Sequence, residues 1–370
     1  MFGTYDPTYT SNKLTMAGLR DNGARVVEVN APVTVTTLNT KKEMGWWPLV
    51  KRVLRKYRLV SEIIKHRKDI AQSDIIYVGY PGHFDVFPAW MAAKIFRKKL
   101  VFNPLLIFYT GFTEEQSILS KGSILAKLVK YGEGLVYKMC DLVIADTPFQ
   151  QEFIERIFGV PKSKIRTVAL GADDKFYPYT PYTNTTKKIH VTYYGLYSPI
   201  HGVEYIIEAA RRLRYDRNIH FDMIGNRGQT FDASLARVKE LKLTNMSFYY
   251  DIPQAEHISI AQKADIFFGF LAKHPSIDRV IPNKVYQGLS LNKVVMTADA
   301  PVIRSVFTHK ENIYIVTPAD VDALVAAILE LKNNPELRQK IAQNGYGMFT
   351  KNFLPKVVGK KIIDYIKEIL

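Results

Sequence analysis

The 370 residues are 47% hydrophobic and 23% charged, which supports two folded cores and excludes a disordered chain. No apolar run approaches the roughly 20 residues of a membrane-spanning helix, and the single Cys140 excludes an internal disulfide. The net charge of +16 calls for an anionic partner or surface.

Met1 leads straight into Phe2-Gly3-Thr4, so no signal peptide is expected and the chain reads as cytoplasmic. Met1 and Phe2 read as the stub of a first strand. Short apolar runs at 25–29, 74–78, 99–102 and 142–145 read as further strands, with helices over 14–21, 86–96 and 150–158 between them. Between residues 41 and 68, ten basic residues face two acidic ones, Glu43 and Glu62. Trp46 and Trp47 lead into Leu49, Val50, Val53, Leu54 and Tyr57 at helical spacing, with lysines and arginines between them. That pattern suits a helix lying on an anionic bilayer, at the inner face of the cell membrane. A surface helix packing its stripe on its own domain is the other reading. Nucleic acid is a third, and no recognition motif supports it.

The Tyr-, Pro- and Thr-rich stretch 176–188 reads as a linker between an N-terminal domain (1–175) and a second domain (189–348). Strands at 190–194, 220–224, 246–249, 266–270, 294–297 and 313–316 then alternate with helices at 202–213, 232–241, 255–263, 283–289, 300–306 and 320–333. The fold class is α/β, two Rossmann-like halves with a central cleft, in which ligands lie at the carboxyl ends of strands. No Gly-x-Gly-x-x-Gly follows a strand, which excludes the nicotinamide fingerprint. No Cys/His cluster has metal spacing, so no metal is expected.

Pro282-Asn283-Lys284 opens a helix, with Gln287 one turn on. A helix N-terminus offers unpaired N–H groups and a partial positive charge, and Lys284 adds a full one, which together suit a phosphate. Gln287 can bond a sugar hydroxyl. A diphosphate beside a sugar describes a nucleotide-sugar. Gly195 and Gly202 let the backbone of one loop approach such a ligand, and His201 stands at a helix start within it. Asn226 and Arg227 follow a strand as base or phosphate contacts, and Arg279 is a further phosphate candidate. In the first half His83, in Tyr80-Pro81-Gly82-His83-Phe84-Asp85, is placed to orient an acceptor or sugar hydroxyl.

The order of these motifs resembles family 4 of the retaining glycosyltransferases, from about residue 17 to 353. The resemblance rests on Asp141–Thr147, Gly159-Val160-Pro161, Leu170-Gly171-Ala172-Asp173, Tyr194-Gly195, His201-Gly202, Ala264-Asp265-Ile266 and Pro282-Asn283-Lys284. It implies the GT-B fold, with a C-terminal helix (349–370) crossing back to the first domain. It also implies a UDP- or GDP-linked sugar donor held by the second domain, no metal, and retention of configuration. Leu196 and His201 stand where relatives carry Arg and Lys. Arg279 and Gln287 replace a pair of glutamates, and Asn103 replaces a histidine. The resulting expectation is a cradle of Lys284, Arg279, His201 and the 195–202 loop. The acceptor is expected to be a lipid-linked glycan or glycolipid used in surface polysaccharide. The alternatives are an inactive donor-binding or scaffold subunit, and an enzyme with a soluble acceptor.

Overall fold

The structure, a computed structural model, describes residues 1–31, 58–181 and 188–370. Contacts divide it into unit 1, Met1–Leu170 with Pro355–Leu370, and unit 2, Gly171–Leu354.

Unit 1 is built on a parallel sheet of β1 (Phe2–Gly3), β2 (Val29–Asn30), β3 (Ile75–Val78), β4 (Lys99–Phe102), β5 (Leu142–Ala145) and β6 (Ile165–Thr167), in the order β2-β1-β3-β4-β5-β6. β5 is buried along its whole length, as a central parallel strand covered by helices must be. The expected strand at 25–29 is corrected to Val29–Asn30, because β1 is only two residues long and offers partners only for Val29 and Asn30. Ile165–Thr167 is a strand that the sequence reading does not name. Residues 41–57 of the basic stretch lie outside the described residues. Residues 58–65 are helical, with Leu59 buried and Val60 and Ile64 exposed.

The last helix, Pro355–Lys367, lies against Thr10–Arg20. Their backbones touch: a Cβ on Gly18 would sit 2.2 Å from the Pro355 carbonyl oxygen, and one on Gly359 would sit 2.1 Å from that of Gly18. Gly359→Ala must therefore push the two helices apart. We expect a loss of about 1–3 kcal/mol in denaturant unfolding, the usual cost of overpacking; unchanged stability would show the contact to be looser than this.

Unit 2 has a second parallel sheet of β7 (Ile189–Tyr194), β8 (Ile219–Ile224), β9 (Met246–Tyr249), β10 (Ile266–Phe268), β11 (Val294–Ala298) and β12 (Tyr314–Val316), in the order β12-β11-β10-β7-β8-β9. The strand order reverses between β7 and β10, which makes that pair the switch point where open parallel sheets hold ligands. Among the described residues, no helix is long and apolar enough to cross a membrane.

Candidate functional site in the second unit

Two chain segments leave the switch point at the carboxyl end of the sheet. After β7 come Gly195, a 3₁₀ turn Pro199–His201 and the helix Val203–Arg212. After β10 comes a loop that ends at Pro282, the N-cap of the helix Asn283–Ser290. Gly195 is clamped from the β8 side. Gly225 has φ +149°, and a Cβ there would lie 1.8 Å from the Gly195 carbonyl oxygen, so only glycine is accommodated.

Lys284, Gly195 and His201 come together at this point. A methyl group on Gly195 would meet Lys284 Nζ at 3.3 Å and His201 Cε1 at 3.6 Å. The Lys284 side chain lies 4.3 Å above the centre of the Tyr193 ring and 5.7 Å from that of Phe270. Those aromatic faces attract a cation but give it no hydrogen-bond acceptor of its usual kind. Lys284 is only 5% exposed, and its Nζ has no hydrogen-bond partner among the described residues. Burial holds its ammonium well below the usual lysine range. Tyr193 Oη donates to the Leu196 carbonyl at 2.7 Å and lies 2.6 Å from His201 Nδ1, which fixes the ring. Burial first, and Lys284 second, push His201 well below the ordinary imidazole value.

Burial therefore works against the charge expected of Lys284 and against protonation of His201. Both groups are held toward their neutral forms by desolvation, and an anion placed between them would supply the missing counter-charge. Such a site takes up protons when an anion binds. Tyr193 and Phe270, which create this environment, are not named by the sequence reading. Their signal is an aromatic residue at the carboxyl end of each strand that flanks the switch point.

The other candidates divide. Gly202 caps the helix Val203–Arg212, and Asn283 sits half-buried at the start of its own helix. Gln287 is buried, and its Nε2 donates to Tyr177 Oη at 3.0 Å. Ser290 Oγ donates to the Tyr177 carbonyl at 2.6 Å, so this face of the helix is fastened to the 177 backbone. Gln287 keeps its carbonyl oxygen and its second amide hydrogen for a sugar. Arg279 is half-buried on the loop before the helix and lies 3.4 Å from Ser276 Oγ. Asn226 and Arg227 are exposed. Arg227 pairs with Asp251 at 3.1 Å and stacks over Phe231 and Tyr250, which turns it toward the end of β9.

In unit 1 the structure gives His83 and Asn103 internal work. His83 is 4% exposed, stacks on Phe108 at 3.7 Å and places Nε2 3.1 Å from Glu133 Oε1. Its Nδ1 faces the Pro81 carbonyl at 3.3 Å. Glu133 also accepts from the Phe108 and Tyr109 backbone N–H groups and from Tyr137 Oη. Both ring nitrogens thus face acceptors within the unit, and His83 buttresses the 108–110 turn. Asn103 is likewise buried, and its Oδ1 accepts from the Leu105 N–H at 3.0 Å, shaping the turn after β4. A cavity of about 480 Å³ in unit 1, lined by Met1, Leu19, Val26, Ile76 and Ile363, lies at the amino end of β3, the wrong end of a parallel sheet for a ligand. Among the described residues, no group of His, Cys, Asp and Glu is arranged to hold a metal ion.

Comparison with known proteins bears on the fold and on the second unit. The family model of the glycosyl transferases group 1 matches residues 181–348. The MMP alpha-(1->4)-mannosyltransferase of Mycolicibacterium hassiacum is 23% identical over 197 residues, spanning 51% of this chain and 44% of that protein, so the match covers less than half of its relative. Sucrose-phosphate synthase from Thermosynechococcus elongatus superposes with a TM-score of 0.72 at 14% identity, over 97% of this chain and 92% of the other. Anabaena HepE in complex with UDP-glucose gives 0.65 at 15% identity, over 83% and 82%. A glycosyltransferase from Rickettsia africae gives 0.61 at 15% identity, over 96% and 94%. The chain thus has the GT-B fold, and its second unit carries a glycosyl transferases group 1 domain.

Proposed function

We propose that this chain is a glycosyltransferase that uses a nucleotide-diphosphate sugar, and that the diphosphate lies against Lys284, His201 and the N-terminus of the helix Asn283–Ser290. The observation that carries this reading is the buried Lys284 Nζ, without a hydrogen-bond partner among the described residues, at the switch point of a parallel sheet, where a bound anion would restore its proton. When the bond from the anomeric carbon to the diphosphate breaks, its electron pair stays on the leaving oxygen. A cation and fixed N–H dipoles aimed there are stronger than in water and need no reorganisation. Charge from the protein itself makes a metal unnecessary for this step. Anabaena HepE, which shares the fold, is described in complex with UDP-glucose, which favours a UDP-linked donor. Retention of configuration follows from the resemblance to family 4.

The acceptor we propose is membrane-associated, a lipid-linked glycan or glycolipid used in surface polysaccharide, with the chain docked on the inner face of the cell membrane. The +16 net charge and the basic stretch 41–68 support this part of the reading. Thermal denaturation with UDP, GDP and the matching nucleosides tests the donor site. A ligand bound only by the folded state adds about 2.7 kcal/mol at a hundredfold excess over Kd. We expect one nucleoside diphosphate to raise the melting temperature and its nucleoside to do so far less, with or without EDTA. No response to any diphosphate overturns the site. Tight binding without donor consumption on any lipid extract would instead assign the chain to a donor-binding scaffold.

A further inference from the structure

We propose that unit 1 carries a bilayer-docking face, made by the outward sides of the helices Val86–Phe96 and Ile124–Met139, and that its occupant is an anionic lipid surface. This deepens the membrane part of the reading above and is independent of sugar transfer.

The two helices touch, and both add to one core on the same face of the first sheet. They do so with unusual economy. The first helix turns its small residues inward, with Ala89, Ala92 and Ala93 buried, and leaves Phe87, Met91 and Ile95 exposed at every fourth position. The second buries Ala126 and Tyr137 and exposes Ile124, Leu128, Tyr131 and Leu135. Exposure reaches 71% at Ile95 and 79% at Ile124, the reverse of an ordinary amphipathic helix. Exposed apolar stripes of this kind on two neighbouring helices of a folded domain mark an interaction surface.

Charge selects the partner. Exposed Lys94, Arg97, Lys121, Lys127 and Lys138 lie on or beside the two stripes. Glu133 is the only acidic residue in either helix, and it is buried in its hydrogen bonds to His83, Tyr137 and the 108–109 backbone. Glu114, nearby, pairs with Lys121 at 3.0 Å. Lys94 reaches over the Trp90 ring at 5.9 Å, keeping an indole at the rim of the face. An apolar surface rimmed mainly by cations, with Glu114 neutralised by Lys121, matches anionic headgroups over acyl chains. Two copies of the chain would bring like charges together across the same face. Both helices start at the carboxyl end of the first sheet, so docking would bring that end, where parallel sheets hold ligands, to the lipid headgroups.

Vesicle sedimentation of the full chain is the test, using phosphatidylcholine vesicles with and without phosphatidylglycerol. The variant is Met91→Ser, Ile95→Ser, Ile124→Ser and Leu128→Ser together. All four positions are exposed, so melting should stay close to wild type. We expect wild type to sediment with the anionic vesicles only, and the variant to bind about tenfold more weakly or less, given the acyl contact removed. Equal binding by the variant overturns the face and leaves residues 41–68 as the membrane contact. Equal binding to neutral vesicles overturns the choice of lipid. A wild-type dimer that the variant abolishes makes the face a self-interface instead. The nucleotide melting assay separates the two readings, because sugar transfer can fail there while vesicle binding stands.

Discussion

Lys284→Met raises the melting temperature of the ligand-free protein and removes most of its response to nucleoside diphosphates. The two effects have one cause. Burial holds the Lys284 ammonium well below the ordinary lysine value of 10.5, so folding obliges the side chain to give up a proton or bury an unpaired charge. A base depressed in the folded state binds fewer protons than in the unfolded chain. The protein therefore gains stability as pH rises from the depressed value toward 10.5 and loses it on the way down. Methionine has a similar length, keeps the contacts with Tyr193 and Phe270 and carries no proton. Replacing even a buried ion pair by apolar groups of like volume is often neutral or stabilising by about 1–4 kcal/mol, and Lys284 has no ion-pair attraction to lose among the described residues. At the same time, a charge-assisted hydrogen bond to the diphosphate is lost, about 1.5–3 kcal/mol, or about ten- to a hundredfold in affinity. Nucleoside affinity should scarcely change. Calorimetry in buffers of different ionisation enthalpy adds a second readout: wild type takes up protons on binding and the variant takes up fewer. A variant that melts lower and still binds diphosphate normally would remove Lys284 from the site.

Neither the burial of Lys284 nor its isolation is visible in Pro282-Asn283-Lys284, because the same triplet serves an exposed helix start equally well. What desolvates it is Tyr193, at the end of β7, and Phe270, just after β10, and only the sheet order brings them to one place. Long-range contacts explain the other departures too. His83 reads as a loop residue facing a ligand until Glu133, fifty positions later, takes its Nε2. Gln287 reads as free for a sugar until Tyr177 takes one of its amide hydrogens. The strands, by contrast, were legible where burial is complete. Val294–Ala298 is buried at every position, so its apolar run has one interpretation. Ile165–Thr167 offers one apolar residue in three and carries no such signal. The helix Val86–Phe96 was legible as a helix but not as a surface. An almost wholly apolar run reads as buried on all sides, and only packing shows that its alanines face inward while Phe87, Met91 and Ile95 face out. The helix Ile124–Met139 went unnamed although Ser123 caps it by accepting from the Ala126 N–H.

Asp146→Asn should flatten the pH dependence of stability between about pH 4 and pH 8, and the expected effect is large. Asp146 follows β5 at the carboxyl end of the first sheet and is 6% exposed. Its backbone N–H is held by Gln150 Oε1 at 2.6 Å, which fixes the residue, while its Oδ1 has no hydrogen-bond partner among the described residues. The phenols that interact with it electrostatically, Tyr9 and Tyr77, are themselves pushed up by burial and bring no positive charge. Desolvation alone raises the carboxyl from 3.8 to about 8. An acid raised in the folded state binds more protons there than in the unfolded chain. Stability is therefore full below the unfolded value and is lost progressively as pH climbs to the folded one. Each pKa unit corresponds to about 1.4 kcal/mol, so the penalty near pH 8 is on the order of several kcal/mol. Asparagine keeps the shape, carries no proton to lose and is spared that slope. Denaturant unfolding of both proteins at intervals from pH 4 to pH 8.5 should give curves that nearly meet at the acid end and separate steadily toward the alkaline end, with the variant more stable. Curves that run parallel would mean that the Asp146 carboxylate is ionised and solvated throughout, and that the carboxyl end of β5 is wetter than its packing indicates.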